Sequence, residues 1–358
     1  MERREYPDTI EGMHRHLSER LGKVVPTFEL RQKAELAVQV NALKRERNAL
    51  ILGHNYMEPA LFHSVPDYTG DSLELSRVAA AAQCEIIVFC GVRFMAETAK
   101  ILSPERTVLL PSPKGGCSLA ESVTAADVRE IKALHPGVPV VTYVNTYADV
   151  KAESDYCCTS SNGAEVVRHL QREGHDRIIF LPDEYLASNV ARETGLEIIF
   201  PARGAAGLQR AADPSDLTRH IVGWKGRCEV HEKFTVEDIA SVREQFPDAV
   251  VLAHPECSPE VVAASDFSGS TTAMIRYVEN MESGRYLLLT ECAMGDNIAA
   301  KNPNREMLRL CSVRCPHMNE ITLEETVTSL RELQHEIDVP AEIRARARRA
   351  LDRMIAIG

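Results

Sequence analysis

Three stretches of the chain repeat the same order of apolar and polar residues, and this repeat restricts the fold more than any other feature. Each stretch opens with a short apolar run that ends in polar residues, at 50–56, 140–145 and 250–256. A helix-like segment and a second apolar run follow, the latter at 86–89, 178–181 and 286–289. Short apolar runs bounded by polar residues are typical of buried parallel strands. Strands that alternate with helices predict an α/β fold.

A third short apolar run in each stretch leads to a cysteine. The three runs are 108–110, 198–200 and 307–310, and the cysteines that follow them are Cys117, Cys228 and Cys315. The step from Cys117 to Cys228 equals the step from Thr124 to Thr235, so the repeat keeps a constant offset. An aspartate follows each of these threonines three residues later, which predicts two helix N-caps.

We therefore predict three similar three-layer αβα units with parallel sheets, each of about one hundred residues, plus N- and C-terminal helices. The predicted parts are a helical extension at 1–30, units at 31–120, 121–232 and 233–322, and a charged helical tail at 323–358. The tail's charges favour a solvated helix face.

Composition narrows the class of protein. The chain has 358 residues, of which 44% are hydrophobic and 26% charged, as in ordinary globular proteins. A net charge of −11 argues against a nucleic-acid partner, which selects for a basic surface. The sequence contains no apolar run long enough for a signal peptide or a membrane span, so we expect a cytoplasmic protein with no membrane partner.

Polar residues at matched places predict a shared binding site. His54, Tyr143 and His254 occupy the same position at the ends of their strands. In open α/β sheets, ligands bind beyond the carboxyl ends of the strands. A hydroxyl residue opens the next helix in each unit; these residues are Ser72, Ser160 and Thr271. Helix N-termini favour anions, so a small anionic substrate is expected, although each hydroxyl also fits a plain N-cap.

The ten cysteines do not suit a disulfide framework, because the cytosol keeps thiols reduced. One cysteine per unit in matching positions, Cys117, Cys228 and Cys315, suits a [4Fe–4S] cluster with one open iron. A structural zinc site would show a Cys-x-x-Cys pair, and a ferredoxin would show a tight cysteine run; neither is present. Three unrelated buried cysteines remain an alternative, and Cys311 is a competing ligand beside Cys315.

Taken together, the motifs resemble the quinolinate synthase family from about residue 30 to the end of the chain. The matching segments are 54–56, 70–73, 143–145, 158–162, 224–231, 254–257 and 269–271. The resemblance implies three α/β units around a pseudo-threefold axis and one [4Fe–4S] cluster per chain, held by Cys117, Cys228 and Cys315 with one iron open. It also implies condensation of iminoaspartate with dihydroxyacetone phosphate to quinolinate, phosphate and two waters, in NAD biosynthesis.

The resemblance also implies roles for individual residues. Tyr56 and Glu256 are the candidates for proton transfer, because isomerisation and imine formation need an acid or a base. His231, three residues after Cys228, is a candidate substrate contact and completes the predicted catalytic group. The resemblance assigns substrate binding to His54, Ser72, Tyr143, Val144, Asn145, Ser160, His254, Pro255, Glu256, Ser270 and Thr271. A transient contact with the enzyme that supplies iminoaspartate is a further expectation. The chain departs from the family in a longer connection at 201–223, which loops tolerate at modest entropic cost.

Three other functions stay open at this point. The first is a different [4Fe–4S] hydro-lyase that acts on a small polycarboxylate. The second is an iron–sulfur sensor without turnover. The third is an α/β binding protein without a metal, in which the three cysteines only pack in the core.

Overall fold

The computed structural model describes residues 3–204, 207–209, 218–281, 283–310 and 313–357. Cys311, which the sequence suggests as a competing ligand, lies outside these ranges. Two helices precede the first sheet, α1 at Ile10–Leu21 and α2 at Thr27–Glu46. The Thr9 side chain caps α1, and the helix buries Met13, Leu17 and Leu21, which share one face because they are four residues apart.

The first unit follows with a parallel sheet and its helices. Its elements are β1 Ala49–His54, α3 Pro59–Phe62, β2 Tyr68–Gly70, α4 Ser72–Ala80, β3 Ile86–Cys90, α5 Arg93–Leu102, β4 Thr107–Leu109 and α6 Ser118–Glu121. The strand order is β2-β1-β3-β4, and all pairs are parallel. Every residue of β1 and β3 is buried, which explains why both strands are almost entirely apolar.

The second unit repeats this arrangement with additions. Its elements are α7 Ala125–Leu134, β5 Val140–Tyr143, α8 Ala148–Ala152, β6 Tyr156–Cys158, α9 Gly163–Arg172, β7 Arg177–Leu181, α10 Glu184–Thr194, β8 Glu197–Ile199, β9 Ala202–Gly204, β10 Gly207–Gln209 and β11 His220–Val222. The sheet order is β6-β5-β7-β11-β8, all parallel, while β9 and β10 form a separate antiparallel pair.

The third unit and the tail complete the described chain. After a short 3₁₀ turn at His231–Lys233, the elements are α11 Val236–Gln245, β12 Val250–Ala253, α12 Pro259–Ala264, β13 Phe267–Ser268, α13 Thr271–Asn280, β14 Arg285–Leu289, α14 Cys292–Lys301, β15 Glu306–Arg309, α15 Pro316–Asn319, α16 Leu323–Glu332 and α17 Ala341–Ile357. The sheet order β13-β12-β14-β15 is again parallel.

The three sheets share one order, in which the first strand of each unit lies between the second and third. This confirms the prediction of an α/β fold with repeated parallel sheets. The pseudo-threefold axis stays a prediction, as do the unit boundaries. The N-caps predicted at Thr124 and Thr235 are confirmed, because each hydroxyl accepts the amide hydrogen of the aspartate three residues later.

One predicted strand needs correction. The sequence assigns the strand before Cys228 to 198–200, but β11 takes that place in the sheet, beside the central strand β7. β11 is fully buried, whereas β8 lies outside it at the sheet edge and is partly exposed. The inserted segment therefore supplies the strand that leads to Cys228, as β4 leads to Cys117 and β15 to Cys315.

The tail contributes to packing as well as to the surface. Helix α17 contacts α8 and β6 of the second unit and α5 of the first. Its buried residues Ala347, Ala350, Leu351 and Met354 form one stripe, with arginines on the other faces. Burial of a leucine or methionine side chain stabilises a fold by roughly 1.5–3 kcal/mol. Because α17 packs against both units, burial of Leu351 and Met354 stabilises the contact between them. None of the helices in the described part of the chain is long and apolar enough to cross a bilayer.

Equivalent asparagines join neighbouring units. Asn189 on α10 and Asn297 on α14 each donate two hydrogen bonds to the strand-end loop of the next unit, at 2.9–3.2 Å. The accepting carbonyl oxygens belong to Pro255 and Cys257 for Asn189, and to Asn55 and Met57 for Asn297. These loops directly follow β12 and β1, so the same contact fixes the strand ends where the site is expected.

Candidate functional site

A cavity with an empty volume of about 730 Å³ lies at the carboxyl ends of the three sheets. Thirteen of the predicted site residues line it: His54, Tyr56, Ser72, Cys117, Tyr143, Asn145, Ser160, Cys228, His231, His254, Glu256, Thr271 and Cys315. Residues from all three units thus meet in one place, as parallel sheets with polar strand ends require. The catalytic and binding roles of the individual residues stay predictions.

Three predicted site residues are absent from the described lining of the cavity. Val144 is buried, and its carbonyl oxygen accepts a hydrogen bond from Lys151. The carbonyl oxygen of Pro255 accepts from Asn189. Ser270 caps α13 and donates its hydroxyl hydrogen to Asp71. These polar atoms are therefore paired with Lys151, Asn189 and Asp71 behind the cavity wall.

His54 and His254 adopt the same local turn. Nδ1 of each ring accepts the backbone N–H of the residue two positions later, at 3.2 Å from Tyr56 and 3.3 Å from Glu256. Nδ1 is therefore the unprotonated nitrogen, and the ring proton lies on Nε2. Burial lowers the pKa of His54 to about 4 and, together with nearby His231, that of His254 to about 3. Both rings are neutral donors at pH 7.

A hydrogen-bonded chain crosses the cavity from the first unit to the third. The hydroxyl groups of Tyr56 and Thr290 are 2.6 Å apart, and the Thr290 hydroxyl lies 3.0 Å from Nε2 of His231. Nδ1 of His231 lies 2.6 Å from a carboxylate oxygen of Glu256. Four side chains are thus linked in a path along which a proton can be held or moved.

Glu256 is surrounded by partners that stabilise its carboxylate form. His231 counteracts the effect of burial and holds the pKa of Glu256 at about 2. Asn145 donates an amide hydrogen to the other carboxylate oxygen at 3.2 Å. Burial, and then the negative charge of Glu256, raises the pKa of Tyr143 and Tyr56 well above 10. The tyrosines therefore present neutral hydroxyl groups to the cavity.

Helix N-termini border the cavity in all three units. Ser72 and Thr271 are the first residues of α4 and α13, while Ser160 lies three residues before α9 begins at Gly163. The capping residues are Asp71, Asn162 and Ser270, so the predicted hydroxyls do not serve as N-caps. Their hydroxyl groups remain in the cavity lining, next to positively polarised helix ends.

The three predicted ligand cysteines differ from most other cysteines of the chain. Cys117, Cys228 and Cys315 are half-buried in the cavity wall, whereas the described cysteines at 90, 157, 158, 257 and 292 are fully buried. Cys84 is also half-buried but lies in a different surface pocket. Burial raises the pKa of Cys117 to about 12 and that of Cys315 to about 11.

This donor set fits an iron–sulfur cluster. Without a cation, buried thiols stay protonated, whereas a metal ion binds and stabilises the thiolate form. Three thiols in one cavity wall supply the soft ligands that iron–sulfur clusters require. A mixed group overlaps this set, because ligand atoms of Cys228, His231 and Glu256 lie within 4.8 Å of one another. The structure therefore contains donor groups suited to metal binding at this cavity.

The loop before Cys228 approaches the second sheet closely. Gly226 donates its N–H to Pro182 at 3.0 Å, and its carbonyl oxygen accepts from Glu184 at 2.8 Å. A Cβ atom at position 226 would lie 2.6 Å from the Pro182 oxygen, so only glycine fits without displacement. This contact fixes the backbone two residues before Cys228.

Sequence reasoning missed two residues at the end of β14. Thr290 belongs to the hydrogen-bonded chain, and Glu291 lines the cavity and caps α14. Burial raises the pKa of Glu291 to about 7. A signal was present, since polar residues also follow the second strand of this unit.

Comparisons with known proteins agree with the site. The family model described as quinolinate synthetase A protein matches residues 38–356. Quinolinate synthase 2 of Mesorhizobium japonicum is 48% identical over 98% of this chain and 99% of its own length. Quinolinate synthase of Caulobacter vibrioides is 48% identical over 97% of this chain and 88% of its own length. Quinolinate synthase of Xylella fastidiosa is 51% identical over 88% of this chain and 85% of its own length. The chain therefore belongs to the quinolinate synthetase A family of enzymes.

Proposed function

We propose that this enzyme condenses iminoaspartate with dihydroxyacetone phosphate to give quinolinate, phosphate and two waters. The atoms of the two substrates equal those of the products, so the reaction needs no external oxidant or reductant. The chemistry required is proton transfer, carbon–carbon and imine bond formation, and loss of water and phosphate. This is condensation and dehydration, for which positioned acids and bases suffice together with a Lewis acid.

Iminoaspartate carries two carboxylates, and the cavity offers donors suited to them. The Nε2 protons of His54 and His254 belong to neutral rings, so they donate hydrogen bonds without titrating near pH 7. The hydroxyl groups of Ser72, Ser160 and Thr271 lie beside helix N-termini. Such donors hold a dianion through backbone dipoles and hydrogen bonds rather than through lysines.

The chain from Tyr56 to Glu256 suits the proton transfers. Glu256 stays ionised and orients His231, as a carboxylate partner orients a catalytic histidine in other enzymes. Tyr56 and His231 reach the same Thr290 hydroxyl, so a proton taken by one can pass to the other. We assign proton transfer to Tyr56 and His231, and the holding of the imidazole to Glu256.

Cys117, Cys228 and Cys315 would hold the [4Fe–4S] cluster, one per chain. When bound, the cluster supplies an iron atom without a protein ligand that acts as a Lewis acid toward an oxygen of the substrate. A cytoplasmic site of action and a transient contact with the enzyme that supplies iminoaspartate belong to the same proposal, since a free imine hydrolyses in water.

The observation that carries the proposal is the convergence of two neutral histidines, three helix N-termini and three thiols on one cavity. The test is turnover by protein purified without oxygen and reconstituted with iron and sulfide. We expect quinolinate and inorganic phosphate in equal amounts, and only when both substrates are present. Phosphate release without quinolinate, or no turnover by protein with a full iron content, would contradict the proposed reaction.

A further inference from the structure

A second pocket of about 890 Å³ lies where the N-terminal segment meets the first and third units. Its lining consists of Arg3, Arg4, Glu5, Tyr6, His16, Arg20, His63 and Lys301. None of these residues lines the cavity described above. The lining draws on the N-terminal segment, α1, the residue directly after α3 and the last residue of α14. Six of the eight residues are arginine, lysine or histidine, in a chain whose net charge is −11.

Specific contacts hold the N-terminal segment in this position. The guanidinium group of Arg3 pairs with Asp67 at 2.9 Å, and the backbone N–H of Arg4 donates to the Asp67 carbonyl oxygen at 2.9 Å. A guanidinium nitrogen of Arg4 donates to the carbonyl oxygen of Phe62 at 2.9 Å. The Tyr6 hydroxyl donates to Pro66 at 3.0 Å. The segment is therefore part of the folded structure, and the pocket wall is fixed.

Few of the positive charges in the pocket have a close ion-pair partner, although Glu5 belongs to the lining and Glu279 partly counteracts the lowered pKa of Lys301. Arg3 is neutralised by Asp67, but within the described ranges no carboxylate lies within 4 Å of Arg4, Arg20 or Lys301. Arg4 and Lys301 both approach the ring of Phe62, at 4.8 and 5.5 Å from its centroid. Burial, and then the charge of Arg4, lowers the pKa of Lys301, as expected where cations repel one another.

A buried histidine in the pocket wall has an unused ring nitrogen. His63 is only 3% exposed, and its Nε2 has no hydrogen-bond partner in the part of the chain that the structure describes. The neighbouring ring is fixed, because Arg20 donates to Nδ1 of His16 at 3.1 Å and Nε2 of His16 donates to the His63 carbonyl oxygen at 2.9 Å. The folded protein bears the cost of this unpaired buried atom, about 1–3 kcal/mol.

We propose that this pocket is a binding site for a phosphate-bearing anion, held by Arg4, Arg20 and Lys301. Guanidinium groups bind phosphate oxygens through paired N–H donors, and a lysine adds a compact charge. Such an anion balances three cations of one pocket lining, where Arg4 and Arg20 both act on Lys301. It also connects α1 to the end of α14, and α14 begins beside Thr290 and Glu291 of the first cavity.

Equilibrium dialysis of the reconstituted holoenzyme tests the site, with inorganic phosphate and adenosine 5′-monophosphate as probes. We compare the double variant Arg20→Gln/Lys301→Gln with Lys23→Gln, an exposed cation two residues after α1 that does not line the pocket. We expect saturable binding that the double variant weakens by about tenfold or more, while Lys23→Gln leaves it unchanged. Phosphate release during turnover should continue in all three proteins.

The two probes identify the ligand. Equal affinity for both assigns recognition to the phosphate group alone, whereas tighter binding of the nucleotide assigns the site to phosphate esters. The single variant Lys301→Glu provides a second measurement, because Lys301 ends α14 at the rim of the pocket and keeps much of its surface in solvent, so the core is not disturbed. The proposal is overturned if neither probe binds saturably, or if the double variant and Lys301→Glu bind both probes as tightly as Lys23→Gln does.

Discussion

Replacing Asn297 by leucine should loosen the joint between the first and third units. Asn297 is 2% exposed, and its amide donates to the carbonyl oxygens of Asn55 at 3.2 Å and Met57 at 2.9 Å. Leucine has the same number of side-chain heavy atoms with the same branching at Cγ, so the change removes two hydrogen bonds without creating a cavity. The two carbonyl oxygens belong to the loop that carries His54 and Tyr56 into the cavity.

The expected loss follows from the accepting groups. Each unpaired buried carbonyl costs about 1–3 kcal/mol, and leucine recovers a part of that cost because it removes Oδ1 of Asn297, a buried atom without a hydrogen-bond partner among the described residues. We expect the free energy of unfolding to fall by about 2–4 kcal/mol. Asn189→Leu should cost a similar amount, because Asn189 makes the same pair of contacts with the loop after β12. In Asn297→Leu, kcat/KM should also fall.

The assay is urea unfolding of anaerobic holoenzyme followed by circular dichroism, with kinetics on the same samples. Asn302→Leu is the matched control on α14, because its side chain bonds to the Ile298 carbonyl oxygen at 2.9 Å, which the backbone N–H of Asn302 also reaches. That carbonyl stays paired when the side chain is lost. An unfolding free energy of Asn297→Leu equal to that of Asn302→Leu would refute the reasoning.

Three further outcomes are expected. Thr290→Val should lower kcat about tenfold or more with little change in KM, because it removes the hydroxyl that bridges Tyr56 and His231 and leaves only their long direct contact of 3.5 Å. Thr290→Ser should restore kcat, and normal turnover in the valine variant contradicts the relay. Burial and nearby cations (Arg4, Lys301, Arg20, His16) lower the pKa of His63 to about 3, so below pH 6.5 the unfolded chain binds a proton that the folded chain does not. The free energy of unfolding should therefore decrease as the pH is lowered. His63→Gln should reduce the slope of unfolding free energy against pH by about 1.4 kcal/mol per pH unit between pH 6 and 5, measured by urea unfolding. An unchanged slope contradicts this. Glu256→Gln with a full iron content should lose most of its turnover, and near-normal activity would exclude a role in holding His231.

The repeated sheets could be predicted because buried parallel strands leave a strong signal. Strands β1, β5 and β12 are apolar runs followed by polar residues. This pattern can be read from the sequence without knowledge of tertiary contacts. Strand β11 could not be predicted in this way. It has only three residues within an insertion, and the more apolar run nearby forms the edge strand β8 instead.

The cavity was predictable where its residues follow the repeat. His54, Tyr143 and His254 could be placed together because they end equivalent strands of parallel sheets. Thr290 could not be placed from the sequence, since its contact with Tyr56 spans 234 positions and depends on how the first and third units meet. The prediction that a hydroxyl residue opens each helix holds for Ser72 and Thr271, while the alternative that they are plain N-caps is wrong, because Asp71 and Ser270 beside them accept the capping hydrogen bonds.

The measurement that tests the central claim most directly is quinolinate formation by cysteine variants, with iron and sulfide counted in the same anaerobic samples. Cys117→Ser, Cys228→Ser and Cys315→Ser alter thiols in the cavity wall, while Cys84→Ser alters a half-buried thiol in another pocket. We expect about four irons per chain and full turnover in the wild type and Cys84→Ser, and loss of both in each of the other three. Full turnover and iron content in any of those three would contradict the account.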